Sequence, residues 1–181
     1  MSEPAPRFLD VDAFLAWGEG REGRFELHDG AVVAMSPERV AHLVTKHNVA
    51  AALKSAIRAA GLPCQALPDG ATVRISKRTA YEPDALVHCG PPLPPDAIEI
   101  PDPLIVVEVL SPLTAAIDFG VKLEAYFSLA SVAHYLIVDP DRHRVVHHAR
   151  GAGDAILTRI LAEGVLALPP GLRIDIASFF D

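Results

Sequence analysis

The stretch Leu104-Ile105-Val106-Val107-Glu108-Val109-Leu110 is apolar at every position but one. A strand with one wet face alternates polar and apolar residues, whereas a run that is apolar on both faces belongs in the middle of a sheet covered on both sides. That requirement points to a layered α/β fold with a central sheet and flanking elements on each face. It also makes Glu108 the residue to explain. A carboxylate buried there is costly unless something pairs with it.

At 181 residues and 50% apolar, the chain is long enough to bury one real core. We expect a single domain over 1–181, with residues 1–22 as an N-terminal helical extension. No apolar run approaches the roughly 20 residues of a membrane span, and Met1-Ser2-Glu3-Pro4 lacks the basic and apolar regions of a signal peptide, so the expected location is the cytoplasm. Cys64 and Cys89 form no CxxC pair, which leads us to expect two reduced, partly buried thiols. A net charge of -7 weakens any nucleic-acid reading without excluding it. Basic residues cluster only locally, as Arg74, Lys77 and Arg78, and as Lys46, Lys54 and Arg58. Clusters of that size usually form a solvated face.

Asp10 or Asp12 is positioned to cap a short helix through Trp17, ended by Gly18 and Gly20. Arg24 to Leu27 and Ala31 to Met35 read as a hairpin across His28-Asp29-Gly30. Ser36-Pro37-Glu38 resembles a helix start, with Val40, Leu43, Val44, His47, Ala50, Ala51 and Ile57 following at helical spacing up to Gly61. Short apolar runs then predict strands at Cys64 to Leu67, Ala71 to Ile75, Asp84 to His88, Leu104 to Leu110, His134 to Val138 and Arg144 to His148. Gly90 to Pro95 is a proline-rich loop, and Asp139 to Arg142 is a turn. Thr114 to Leu129 predicts a helix on which Asp118 and Lys122 face the same way. Ile174 to Phe180 reads as a closing segment packed by Phe179 and Phe180.

Asp84 opens one predicted strand, Glu108 nearly ends its neighbour, and Lys122 follows on a helix. Two carboxylates and a lysine so arranged suit a hard divalent cation, which takes one or two carboxylates with water and phosphate oxygens. Two uncompensated carboxylates about 4 Å apart would repel by roughly 4 kcal/mol at an effective dielectric near 20. A metal or Lys122 must offset that, or one carboxyl must stay protonated. A lysine beside carboxylates is a poor general base, because they hold its proton more tightly. Lys122 is therefore expected to orient the attacking water and stabilise charge in the transition state. Glu26, in the first hairpin, is a further carboxylate within the same proposal. Each residue also has a bland role, as a turn cap for Asp84 or an exposed helical ion pair for Lys122.

Phe25-Glu26-Leu27-His28-Asp29-Gly30, Glu82-Pro83-Asp84, Val107 to Pro112, Thr114, Asp118, Lys122, Tyr126, Tyr135 to Pro140, and Pro170-Gly171-Leu172 followed by Phe180 together resemble the Uma family. That is a bacterial group of restriction-endonuclease-like proteins within the PD-(D/E)XK nuclease superfamily. The resemblance implies a restriction-endonuclease-like fold, a mixed central sheet flanked by helices with additional hairpins. It implies Asp84 and Glu108 as metal carboxylates, the Val109 carbonyl as a further ligand and Glu26 as an additional acidic site residue. The superfamily lysine is expected two residues after Glu108, where this chain has Leu110. Proteins similar to this one carry it on the following helix, which points to Lys122. His42 also resembles a recurrent histidine of the family.

The expectation is thus a Mg²⁺-dependent endonuclease acting on DNA, with Mn²⁺ as an alternative ion and a homodimer supported by apolar surface on the late hairpin. The alternative is a nuclease-fold binding or assembly module that cleaves nothing. No nucleophile elbow or P-loop supports another hydrolase class. His143, His147 and His148 are expected at the surface, the last two on opposite strand faces.

Overall fold

The computed structural model describes residues 8–111 and 119–181. Thr114 and Asp118, expected at the start of the Lys122 helix, lie outside them. In chain order the elements are α1 (Val11–Gly18), β1 (Phe25–His28), β2 (Ala31–Ala34), α2 (Val40–Ala60), β3 (Cys64–Pro68), β4 (Val73–Ser76), β5 (Thr79–Tyr81) and β6 (Ala85–Cys89). They continue as β7 (Pro103–Val109), α3 (Val121–Ser128), β8 (His134–Asp139), β9 (Arg144–Arg150), β10 (Ile156–Leu161), β11 (Val165–Leu168), β12 (Leu172–Asp175) and a 3₁₀ turn (Ile176–Phe179).

A six-stranded sheet ordered β10-β9-β8-β7-β6-β3 carries the fold, with a four-stranded sheet ordered β2-β1-β5-β4 and the β11-β12 hairpin beside it. The apolar run lies inside the large sheet. β7 pairs antiparallel with β6 (Ala85↔Val107) and parallel with β8 (Ile105↔His134), so the sheet is mixed. Ile105, Val107 and Val109 pack toward α2, the β11-β12 hairpin and Phe179. Val106 packs on the other face with Tyr126, Phe127, Tyr135 and Ile137. Glu108 shares that second face by strand alternation.

Asp10 caps α1 by accepting from the Ala13 N–H at 2.9 Å. The β1-β2 hairpin turns through Asp29 (φ 47°) and Gly30 (φ 81°), the paired left-handed conformation that an Asp-Gly turn adopts easily. Val11 and Phe14 of α1 bury against Leu27 and Ala80 of the small sheet.

Three expectations need correction. The long helix begins at Val40 after Arg39, without a side-chain cap, rather than at Ser36. It buries Thr45, Lys46, Val49, Leu53, Ala56 and Ile57, while Val40, Leu43 and Val44 are exposed. Apolar periodicity misread the face because carboxylates inside the molecule draw Lys46 inward, as described below. Cys64 and Cys89 are not free thiols. They stand opposite each other in the β3-β6 register and form a disulfide across 25 residues of chain. In the chain-entropy model a loop of that length adds about 3.5 kcal/mol of stabilisation. The third correction is that His147 and His148 are buried.

His134 and His147 are neighbours, with Nδ1 of the first 3.0 Å from Nε2 of the second. Arg159 Nη2 lies 3.3 Å from His147 Nδ1. A guanidinium only donates, so His147 Nδ1 accepts and its Nε2–H donates to His134. Burial pushes both down to about 4, with Arg159 adding to the effect on His134, and with His134 and Arg159 adding to the effect on His147. Their ordinary value is 6.5, so between roughly pH 6.5 and 4 the unfolded chain binds more protons than the folded one. Stability therefore falls as pH falls through that window, by up to ~3 kcal/mol per histidine. Urea unfolding at a series of pH values should show this loss, and a His134→Leu/His147→Leu chain should show a flatter profile. An unchanged profile in the double variant would refute the assignment.

Candidate active site

Glu108 is 4% exposed, and its charge is met from α3. Lys122 Nζ and the Tyr126 hydroxyl both donate to Glu108 Oε1, at 2.9 and 2.8 Å. They lie one helical turn apart on α3, so both reach the same point. Burial and then the adjacent Glu108 and Glu26 push the Tyr126 phenol well above its ordinary range, so it stays a donor. Lys122 Nζ also reaches Glu26 Oε1 at 2.9 Å, and that oxygen accepts from the Glu82 N–H at 3.1 Å. Three of the residues singled out in the sequence, Glu26, Glu108 and Lys122, thus meet. The ammonium also lies 5.3 Å from the Tyr81 ring centroid. Burial followed by Glu26 pushes Tyr81 up to about 12.

Asp84 sits at the head of β6, one step beyond the Ala85↔Val107 pair and so across from Glu108. Its Oδ2 accepts from the Val109 N–H at 2.7 Å, tying it to the residue after Glu108. Its charge is met from α2, where Lys46 Nζ lies 3.0 Å from Oδ1. The Val109 carbonyl accepts from His42 Nε2 at 2.7 Å, and His42 Nε2 is 3.6 Å from Asp84 Oδ2. A carbonyl has two lone pairs, so Val109 keeps capacity for another partner. Asp84 immediately precedes β6 and Glu108 lies near the end of the neighbouring β7, and each is gripped by a different lysine on a different helix.

Sequence reasoning took Lys46 for a solvated charge and did not single out Arg24, Glu38, Asp69 or Glu82. Lys46 Nζ contacts Glu38 Oε1 at 2.8 Å and Asp69 Oδ2 at 2.6 Å as well as Asp84. Burial opposes charging of this ammonium, but Asp84, Asp69 and Glu38 outweigh it and raise its pKa. Burial likewise works against ionised Glu38, while Lys46 and then His42 and Arg24 lower its pKa on balance. Arg24 reaches Glu82 through Nε at 2.8 Å, and Glu38 and Asp69 through Nη1 at 2.9 and 2.8 Å. His42 and Lys46, four apart on α2, share one helical edge, a polar signal that apolar counting overlooks; Glu38 meets that edge from the segment just before the helix.

Among the described residues, Glu26, Glu38, Asp69, Glu82, Asp84 and Glu108 form their ion pairs with Arg24, Lys46 and Lys122. An excess of hard oxygen donors suits a hard divalent cation rather than a soft one. Glu38 Oε2 and His42 Nδ1 are buried without a hydrogen bond and face each other at 3.5 Å. Among the described residues no three His, Cys, Asp or Glu side chains form a ready-made metal group. A cation held by Asp84 and Glu108 would therefore take its remaining ligands from the Val109 carbonyl, water and substrate oxygens, the usual pattern for Mg²⁺.

Comparison with known proteins adds to this geometry. The model of the Uma2 family, described as "Putative restriction endonuclease", matches residues 11–177. The uncharacterized protein slr1290 of Synechocystis sp. (strain ATCC 27184 / PCC 6803 / Kazusa) is 28% identical over 169 residues, spanning 92% of this chain and 87% of the relative. A crystal structure of "a putative nuclease belonging to DUF820" from Anabaena variabilis ATCC 29413 superposes with a TM-score of 0.75 at 16% identity, covering 95% of this chain and 97% of that one. At that identity the likeness speaks for the fold alone, which is restriction-endonuclease-like, as the sequence led us to expect.

The Glu108–Lys122 pair can be tested directly. Removing one partner of a buried pair leaves the other uncompensated, so Lys122→Met should cost about 3–5 kcal/mol in urea unfolding. With Glu108→Gln in the same chain the two losses should fall short of their sum by at least ~1 kcal/mol. Simple additivity would mean that the pair does not interact.

Proposed function

The chain belongs to the Uma2 family, and from that premise we propose that it is a divalent-metal-dependent endonuclease hydrolysing DNA phosphodiester bonds. The observation that carries this reading is the run of adjacent acidic positions, Asp84 tied to the Val109 N–H and Glu108 beside it, with Lys122 bridging Glu108 and Glu26. Asp84, Glu108, the Val109 carbonyl and Glu26 would hold Mg²⁺, or Mn²⁺ in its place. When bound, such an ion lowers the pKa of a coordinated water and polarises a phosphoryl oxygen.

The side chains have separate tasks. Tyr126 fixes the Glu108 carboxylate from below, and the Val109 N–H fixes Asp84. Lys122, held by two carboxylates, is suited to stabilising negative charge that develops on the phosphoryl group and to orienting the attacking water. Its close acidic partners make it a donor rather than a base. Among the described residues no helix is long and apolar enough to cross a membrane. Action on intracellular DNA would mean a cytoplasmic protein, although the Cys64–Cys89 disulfide is of a kind uncommon in that compartment.

Purified protein incubated with plasmid and single-stranded DNA should cleave in the presence of Mg²⁺ or Mn²⁺ and stop when the ion is chelated. Asp84→Ala and Glu108→Ala should each lower the rate by at least about a hundredfold. Cleavage that survives both substitutions would defeat the proposal, and metal binding without cleavage would favour the non-catalytic module.

We also propose a homodimer through β10. This edge strand exposes Ile156, Leu157 and Ile160 at 41%, 62% and 66%, apolar side chains on both strand faces. An unprotected apolar edge is a template for pairing with another strand, and antiparallel self-pairing satisfies a two-fold axis. Sedimentation should report a dimer that Ile160→Glu dissociates. A monomeric wild type would end this proposal.

A further inference from the structure

Lys46 is 4% exposed, and its ammonium has three donors that meet three carboxylates. Glu38 comes from the segment before α2, Asp69 from the turn between β3 and β4, and Asp84 from the head of β6. They surround Nζ at 2.8, 2.6 and 3.0 Å. Segments this far apart in the chain converge on one point, and the chemistry they supply is that of a cation site. Here the cation is tethered to the chain's own helix. Arg24 takes a share of Glu38 and Asp69 but does not pair with Asp84, whose one permanently charged partner among the described residues is Lys46.

We propose that Lys46 is a positioning residue, a tethered cation that competes with the divalent ion for Asp84 and so sets the metal affinity of the centre. The proposal rests on the reading of Asp84 as a metal ligand. With no ion bound, the ammonium holds Asp84 Oδ1, while the Val109 N–H holds Oδ2. An arriving divalent ion meets a carboxylate already aimed, and also the repulsion of a buried positive charge in contact with it. Burial weakens screening of that repulsion. Loss of the ammonium removes the repulsion and leaves three under-compensated carboxylates, so the electrostatic gain in ion affinity exceeds what is lost in orientation.

The test is direct binding of Mn²⁺, followed by the electron paramagnetic resonance signal of the free ion. Lys46→Met and Lys46→Gln should bind Mn²⁺ about tenfold more tightly than wild type, or better, and Lys46→Arg, which keeps the charge, should stay close to wild type. The melting temperature of Lys46→Met should rise with Mn²⁺ far more than that of wild type, a response that a purely structural lysine would not produce. If Lys46→Met is unfolded in chelator, millimolar Mn²⁺ should refold it. A folded Lys46→Met chain with unchanged or weaker affinity overturns the proposal, as does an unfolded one that Mn²⁺ fails to rescue. Cleavage through Asp84 in wild type together with unchanged affinity in Lys46→Met would sink the competition and leave the nuclease reading intact. A wild type without nuclease activity, beside a Lys46→Met chain whose tighter binding is lost on adding Asp84→Ala, would do the reverse.

Discussion

A carboxylate on the central strand of a sheet covered on both faces has to be neutralised where it stands. Glu108 meets that condition through Lys122 and Tyr126, two residues of one helix that converge on the same oxygen. Their reach brings α3 against the second face of the large sheet, where Tyr126 and Phe127 pack on Val106, Tyr135 and Ile137. Because Lys122 is shared with Glu26, the same contact ties the small sheet to the large one. Packing and charge compensation are therefore one event at this site. A change that frees the charge also loosens the layer.

The other half of the site follows the same logic from the opposite helix. α2 sends Lys46 to Asp84 and His42 to the Val109 carbonyl, so that the end of β7 is held from both sides. Among the described residues, six carboxylates of the site pair with three fixed cations, Arg24, Lys46 and Lys122. An acidic chain suits a divalent ion better than it suits a polyanion, and the ion offers a route to phosphate that does not depend on a basic surface. Local cations at the site, rather than net charge, are the relevant quantity for the proposed chemistry.

Much of the fold was legible in the residues. The apolar run of β7, the Asp-Gly hairpin turn, the helix stop at Gly61 and the turn at Asp139 each follow from local chemistry, and each is found. The alternation of Val165 to Leu168 and of Leu172 to Asp175, one face in and one out, was equally available yet went unread. Other features were not legible. Val40, Leu43 and Val44 have the spacing of a buried face but lie outside, because the helix turns its polar edge toward carboxylates supplied by distant segments. Cys64 and Cys89 become a pair only when β3 and β6 align. His147 is buried because Arg159 and His134 satisfy its ring.

The sequence by itself determined the layered α/β class and the central strand, and singled out Glu26, Asp84, Glu108 and Lys122 as candidates, since these readings depend on periodicity and residue type within short windows. Tertiary structure decided which lysine serves which carboxylate, drew Lys46, Glu38, Asp69 and Arg24 into the site, and joined the cysteines. Charge pairing acts over a few ångströms in space and is indifferent to distance along the chain. Partners from separate elements become visible only once the sheets have brought them together.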